Sequence, residues 1–218
     1  MSYNIAIDGP AGAGKSTIAK KLAKDLSFVY VDTGAMYRAL AIFFIRKGFA
    51  AEDESGISDA VKDANVSIEY VNGEQQVILN GENVTPILRT EEVGNMASAS
   101  SVYKAVRAHL LELQRSLAAS KDVIMDGRDI GTCILPNADL KIFLTATSAE
   151  RARRRCEELK QKGENADYEK IKKDIEERDY RDSHREIAPL KQAEDAIYLD
   201  SSDLNIDEVV ERIKSYIK

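Results

Sequence analysis

The sequence has few cysteine and histidine side chains, the usual ligands of structural zinc. It contains two cysteines and two histidines in 218 residues. Cys133 and Cys156 form no C-x-x-C spacing, and with so few histidines the usual zinc patterns cannot be assembled. We therefore expect no zinc cluster and interpret both cysteines as reduced thiols.

Long apolar runs are missing as well. The longest, from Ala39 to Ile45, lies between Arg38 and Arg46 and is far shorter than the roughly 20 residues that span a bilayer. Asp8 and Gly9 interrupt the first apolar run, so the N-terminus does not resemble a secretory signal. The sequence therefore predicts a cytoplasmic protein with no membrane span.

Positive charge is in the minority. Lys and Arg number 31 against 37 Asp and Glu, which gives a net charge of −6. Domains that bind nucleic acids are normally basic, so we expect no nucleic-acid partner, and an anionic ligand would need a local basic pocket. The length suits one domain, with or without an insertion. We expect it to act as a monomer.

Short apolar runs rich in β-branched residues alternate with stretches of helical periodicity. This alternation predicts an α/β fold built on a parallel sheet. Ligands bind at the carboxyl ends of strands in such sheets, so the acidic and hydroxyl residues that follow several runs indicate a ligand site. The predicted strands are Asn4–Asp8, Phe28–Asp32, Asp122–Asp126, Leu140–Thr145 and Ala196–Asp200.

Capping signals and periodicity predict three helices around the sheet. Two strand-like runs between Ser67 and Leu79 flank Asn72-Gly73, a strong hairpin signal. A hairpin inside an α/β chain predicts an inserted subdomain, which we place at about residues 50–89. The predicted helices are Lys15–Leu26, Thr147 to about Gly163, and Tyr168–Arg185.

The clearest chemical motif is the phosphate loop G-x-x-x-x-G-K-[ST], placed between a predicted strand and a predicted helix. Its backbone N–H groups point at phosphate oxygens, Lys15 reaches the β and γ phosphates, and the Ser16 hydroxyl can bind Mg²⁺. The loop therefore predicts binding of a nucleotide polyphosphate. Its predicted binding residues are Gly9, Pro10, Ala11, Gly12, Ala13, Gly14, Lys15, Ser16 and Thr17.

A phosphate loop alone does not separate kinases from switches and motors. GTPases add a D-x-x-G motif after a strand and an N-K-x-D guanine reader. Asp53 to Gly56 fits the first pattern only in a polar segment, and N-K-x-D does not occur. A GTPase is therefore disfavoured.

Four segments together resemble the bacterial-type cytidylate kinases of the nucleoside monophosphate kinase group. They are DGPAGAGKST, DTGAMYRALA, DGRDIGT and RDYRDSHREIAPL, in this order over nearly the whole chain. The resemblance implies a P-loop fold with a five-stranded parallel sheet flanked by helices, in a single kinase domain of residues 1–218. It also implies a monophosphate-binding insertion, which residues 50–89 match, and a short lid at about 151–165.

The activity that the resemblance implies is Mg²⁺-dependent phosphorylation of CMP and dCMP by ATP. A phosphate acceptor needs planar donors, so Arg38, Arg128 and Arg178 are the predicted clamp, with surface ion pairs as the alternative for each. We predict that Lys15, Arg128 and Arg178 are catalytic, because they would neutralise charge on the transferred phosphoryl group.

Recognition of the base is assigned mainly to Asp129, because a carboxylate can accept a hydrogen bond from cytosine N4. By resemblance, Thr33, which stands where relatives have serine, and Ser98 add hydroxyl contacts, Arg107 donates to the ring, and Tyr37 lines the acceptor site. For Ser98, close packing of a small-residue helix is an equally good interpretation.

The segment Tyr168–Arg185 carries an inward face that changes from apolar to charged. Ile171 and Ile175 mark the apolar part, and helical stepping continues onto Arg178, Asp182 and Arg185. Buried charges need partners. The resemblance assigns Asp182 to a ribose hydroxyl and Arg185 to phosphate or base, whereas neutralisation of the arginines is the alternative for Asp182.

Arg151 and Arg155, one helical turn apart, are predicted to belong to a lid over ATP. Ion pairs with Glu157 and Glu158 are the alternative for these two arginines. Two other functions stay open: a kinase for UMP, AMP or shikimate, and a nucleotide-dependent switch or binding module without phosphoryl transfer.

Overall fold

The computed structural model of the chain describes residues 2–161 and 163–217. These residues form two compact units. Unit 1 contains residue 2 and residues 29–123, and unit 2 contains the described residues of 3–28 and 124–217. No helix among the described residues is long and apolar enough to cross a membrane.

The described residues form strands and helices that succeed one another singly or in small groups. The strands are β1 (Asn4–Asp8), β2 (Val29–Asp32), β3 (Val66–Val71), β4 (Glu74–Leu79), β5 (Glu82–Asn83), β6 (Val123–Gly127), β7 (Leu140–Thr145) and β8 (Ile197–Asp200). The helices are α1 (Lys15–Leu26), α2 (Thr33–Arg46), α3 (Glu54–Ala60), α4 (Glu91–Ser100), α5 (Lys104–Ala119), α6 (Ser148–Gln161), α7 (Tyr168–His184) and α8 (Ile206–Lys214).

The larger sheet has five strands in the order β2-β6-β1-β7-β8. β1 pairs in parallel with β7, aligning Ile5 with Leu140, and β7 pairs in parallel with β8. Apolar side chains of the central strands are fully buried, as expected where helices cover both faces of a sheet. All five predicted strands are confirmed, each within one residue of its predicted bounds.

The three helices predicted around the sheet are confirmed as α1, α6 and α7, with differences of at most two residues at their ends. Gly14, with φ of 85°, caps the N-terminus of α1, and Asp167 caps α7 by accepting from the Lys170 N–H. The N-terminal signal of α6 is also present, because the Thr147 hydroxyl accepts from the Glu150 N–H at 3.2 Å.

Unit 1 contains the predicted hairpin. β3 and β4 pair antiparallel from Val66 with Leu79 to Val71 with Glu74, and β5 extends them to a three-stranded sheet. Asn72 and Gly73 both have positive φ, as a two-residue hairpin turn requires. The subdomain bounds at 50–89, the lid at about 151–165 and the single domain of 1–218 stay predictions.

Candidate active site

The phosphate loop lies in unit 2, between β1 and α1. Gly9 must be a glycine, because a Cβ at this position would lie 1.9 Å from the carbonyl oxygen of Leu144. No side chain caps the N-terminus of α1, and its first turn contains no acid. The backbone N–H groups and the positive end of the helix dipole therefore meet no competing carboxylate in this turn.

Lys15 begins α1 and folds back over the loop, where its Nζ donates to the carbonyl oxygen of Pro10 at 2.7 Å. Its side chain is buried. Burial lowers the pKa of Lys15 well below its ordinary value, and the cationic Arg128 adds to this effect against the opposing carboxylates of Asp126 and Asp8. Phosphate oxygens would supply the negative charge that favours the ammonium form.

Ser16 and Asp126 bring together the oxygen ligands that suit a divalent cation. The Ser16 hydroxyl donates to Asp126 Oδ2 at 2.9 Å, and Asp126 is buried at the end of β6. A hydroxyl beside a carboxylate fits Mg²⁺, which takes hard oxygen ligands. Our sequence analysis missed Asp126 as a site residue, although its position after the apolar run Val123–Met125 was a usable signal.

Asp8 is a second buried carboxylate at a strand end that the sequence analysis did not select. It ends β1 with its carboxylate buried, and its two oxygens accept from the backbone N–H groups of Ile130 and Gly131, both at 2.7 Å. Burial raises the pKa of Asp8 to about 6, despite these two hydrogen bonds. Asp8 thus anchors the one-turn π-helix Ile130–Ile134, which directly follows Asp129.

Two arginine–carboxylate pairs join Arg128 and Asp129, at the end of β6, to α7 and to the residue that follows it. Arg128 Nε donates to Asp182 Oδ2 at 2.9 Å, and Arg185 Nη2 lies 3.3 Å from Asp129 Oδ1. Asp129, Asp182 and the Arg185 side chain are buried, and Arg178 is half-buried on the same helix. The structure thus places Asp182 on the buried side of α7, whereas Arg185 follows the helix in extended backbone (φ −65°, ψ 143°) and does not continue its face.

The pKa of Asp182 reports the balance of charges at this face. Burial alone would raise it, but the guanidinium of Arg128, together with Arg178 and Arg185, holds the pKa below its ordinary value. The carboxylate is therefore ionised at neutral pH and orients Arg128.

The two predicted lid arginines differ in their surroundings. Arg151 is buried and donates to the carbonyl oxygens of Ala146 and Ala11, both at 2.8 Å, and to Asp179. Arg155 is exposed and pairs with Glu158 at 2.8 Å, the ion pair that was its alternative. Arg151 thus contacts the phosphate loop itself, and a role of either arginine over ATP stays a prediction.

Unit 1 carries the remaining predicted acceptor residues on α2, α4 and α5. Asp32 caps α2 by accepting from the Ala35 N–H at 2.9 Å, and its other oxygen lies 3.9 Å from Arg38 Nη1. Arg89 Nη2 lies 3.8 Å from the same oxygen, a cation that the sequence analysis did not single out. Asp32 therefore lies within ion-pair distance of both Arg38 and Arg89.

The other predicted acceptor residues of unit 1 belong to helices that pack together, since α2 packs against α4 and α5. Thr33 is buried in the first turn of α2, and the Arg107 guanidinium lies 5.6 Å from the centre of the Tyr37 ring. Ser98 is half-buried on α4, where its carbonyl oxygen accepts from the Ser101 hydroxyl. Both interpretations of Ser98 therefore stay open.

Comparison with known proteins places these features in one family. The model of the family described as cytidylate kinase matches residues 5–218. The cytidylate kinase of Caldicellulosiruptor bescii is 51% identical over 210 residues, 96% of this chain and 93% of the relative. The cytidylate kinase of an Exiguobacterium species is 51% identical over 219 residues, 100% of this chain and 97% of the relative.

A solved structure shares the fold at much lower identity. It is a gluconokinase from Sinorhizobium meliloti, with a TM-score of 0.51 and 12% identity, covering 98% of this chain and 90% of the gluconokinase. At this identity the likeness concerns the fold alone, and it agrees with the predicted P-loop fold.

Proposed function

Since this chain belongs to the cytidylate kinase family, we propose that it transfers the γ-phosphoryl group of ATP to CMP, giving ADP and CDP. dCMP is the second acceptor. The observation that carries the proposal is the phosphate loop with Lys15, in the same unit as the arginine–carboxylate pairs of Arg128 and Arg185. The phosphate loop suits a triphosphate, and the arginines of these pairs suit a second anion.

ATP binds at the N-terminus of α1. The residues from Gly9 to Thr17 surround its β and γ phosphates, and Lys15 exchanges its bond with Pro10 for phosphate oxygens. Arg151 supports the loop through the Ala11 carbonyl, and Arg155 is the more distant member of the lid. Ser16 and Asp126 would hold Mg²⁺, which supplies neutralisation of charge on the phosphates when bound.

The acceptor contacts are assigned residue by residue. Arg38, Arg128 and Arg178 bind the CMP phosphate through guanidinium donors. Asp129 accepts a hydrogen bond from cytosine N4. Arg185 Nη2 donates to Asp129 Oδ1 and holds this carboxylate in place. Asp182 accepts from the ribose, and the remaining contacts to the nucleotide come from Thr33, Tyr37, Ser98 and Arg107.

The reaction needs no general base. An oxygen of the anionic CMP phosphate attacks the γ-phosphorus, a new P–O bond forms, and the bond to the β–γ bridging oxygen breaks with its electron pair leaving on ADP. Lys15, Arg128 and Arg178 stabilise the charge that spreads over the transferred group. The protein acts as a cytoplasmic monomer on small molecules, with no nucleic-acid or membrane partner.

A coupled assay of ADP release tests the proposal. The purified chain is supplied with MgATP and, separately, with CMP, dCMP, UMP, AMP and shikimate. We expect rapid release with CMP and dCMP, loss of turnover on chelation of Mg²⁺, and little change in the control Lys24→Met, a lysine exposed on α1. ADP release that is equally slow with every acceptor would contradict the proposal and favour a binding module.

A further inference from the structure

A pair of hairpin side chains contacts the backbone of β2. Tyr70 and Gln75 lie opposite each other across β3 and β4. The Tyr70 hydroxyl donates to the carbonyl oxygen of Tyr30 at 3.1 Å. The Gln75 amide makes two hydrogen bonds to Asp32, donating to its carbonyl oxygen at 3.2 Å and accepting from its N–H at 2.8 Å.

These bonds replace a missing strand. β2 is the edge strand of the larger sheet, and residues two apart on a strand direct their backbone groups to the same edge. Val29 uses its N–H on the opposite side, bonding to the Asp122 carbonyl at 2.9 Å. Tyr70 and Gln75 thus satisfy the carbonyl oxygen of Tyr30 and both backbone groups of Asp32, which an edge strand would leave to water.

The bonds occur where β2 becomes α2. Asp32 supplies the N-cap of α2 and lies within ion-pair distance of Arg38, and Thr33 is the first residue of the helix. The Gln75 amide therefore fixes the backbone of a residue that positions predicted acceptor contacts. Burial raises the pKa of Tyr70 to about 12, so its hydroxyl remains a donor at neutral pH.

We infer that Tyr70 and Gln75 are positioning residues for the phosphate acceptor. Through the backbone of β2 they fix the first turn of α2 and with it the side chains of Thr33 and Arg38. This inference rests on the proposed kinase function for its kinetic consequences, whereas the restraint on α2 is independent of that function.

The kinetic test separates acceptor from donor. Gln75→Leu removes both bonds to Asp32, and Tyr70→Phe removes only the hydroxyl. We expect KM for CMP to rise about 3- to 10-fold in Gln75→Leu, the range for loss of one or two neutral hydrogen bonds, and less in Tyr70→Phe. KM for ATP and kcat should stay within about 2-fold, because the phosphate loop is formed by other elements.

The matched control is Gln76→Leu, since Gln76 bonds to Asn83 within the hairpin sheet. It should leave KM for CMP unchanged. An unchanged KM for CMP in both Gln75→Leu and Tyr70→Phe would overturn the inference. Equal rises in KM for CMP and KM for ATP would also overturn it, because they would show a general loss of structure. The same rise in KM for CMP in Gln76→Leu would have the same meaning.

Hydrogen exchange supplies a test that needs no activity. In Gln75→Leu the amides of Asp32 and of the first turn of α2, residues 33–37, should exchange faster than in the wild type, while those of α1 should not. Wild-type exchange rates in these amides would refute the restraint. If the wild type fails to phosphorylate CMP, the proposed function fails, and exchange still decides the role of the pair.

Discussion

Replacing Asp182 by asparagine should destabilise the protein measurably, because this change removes a charge while keeping the side-chain shape. The carboxylate accepts from Arg128 Nε at 2.9 Å, and the two side chains are only 10% and 20% exposed. A hydrogen bond to a charged group contributes about 1.5–3 kcal/mol. We therefore expect a loss of about 2 kcal/mol, or a fall in Tm of roughly 4–8 °C for a chain of this size.

The prediction also fixes the direction in which the stabilisation by Asp182 changes with pH. The folded-state pKa of Asp182 lies below its ordinary value of 3.8 because of the three arginines around it. The stabilisation is thus present above about pH 4 and is lost as pH falls through the folded pKa. The difference in free energy of unfolding between wild type and Asp182→Asn should shrink between pH 7 and pH 3.

Urea unfolding of both proteins at the two pH values measures this difference. Asp174→Asn, on the exposed side of α7, is the matched control and should have no effect at either pH. Equal stability of wild type and Asp182→Asn at pH 7 would refute the charge pairing. The kcat/KM values for CMP and dCMP in the same variant then test whether Asp182 binds the 2′-hydroxyl. If it does, kcat/KM should fall more for CMP than for dCMP, which lacks this hydroxyl.

Three further changes test the rest of the site. Lys15→Met should lower kcat by roughly 10²–10³, the scale for loss of one preorganised donor, and unchanged turnover in the ADP assay would exclude the loop as the ATP site. Asp129→Asn should reduce the preference for CMP over UMP by about 1–3 kcal/mol in kcat/KM, and an unchanged ratio would count against the base contact. The pKa of Asp8 is raised to about 6 from 3.8, so wild-type stability relative to Asp8→Asn should fall as pH rises from about 4 to 7, by roughly 3 kcal/mol. Parallel urea-stability profiles over that range would contradict the buried ionisation.

The fold was largely predictable because its signals are local. The sheet strands are short apolar runs, the hairpin turn is an Asn-Gly pair, and the phosphate loop is one continuous motif. Helical stepping also predicted that Asp182 faces inward, and the structure confirms its burial, whereas Arg185 lies beyond the end of α7 in extended backbone. Each of these features depends on residues that lie close together in the sequence.

Contacts set by strand order were the ones that sequence reasoning missed. Asp8 binds the backbone at Ile130 and Gly131, more than 120 residues away, and Ser16 meets Asp126 across 110 residues. The alternation of strands and helices predicts a parallel sheet but not which strand ends are neighbours. The sequence shows that Asp8 and Asp126 stand at strand ends, but it does not show which residues they contact.

The charge distribution explains how one unit can hold so many arginines near a phosphate loop. Arg128, Arg151 and Arg185 each have a carboxylate partner, which reduces their mutual repulsion and fixes their orientation. Lys15 differs, because its Nζ bonds to a neutral carbonyl and its pKa is lowered by burial and by the cations around it. Under the proposed function, a phosphate at the loop would relieve this repulsion, so Lys15 is the cation whose charged form the nucleotide would favour most.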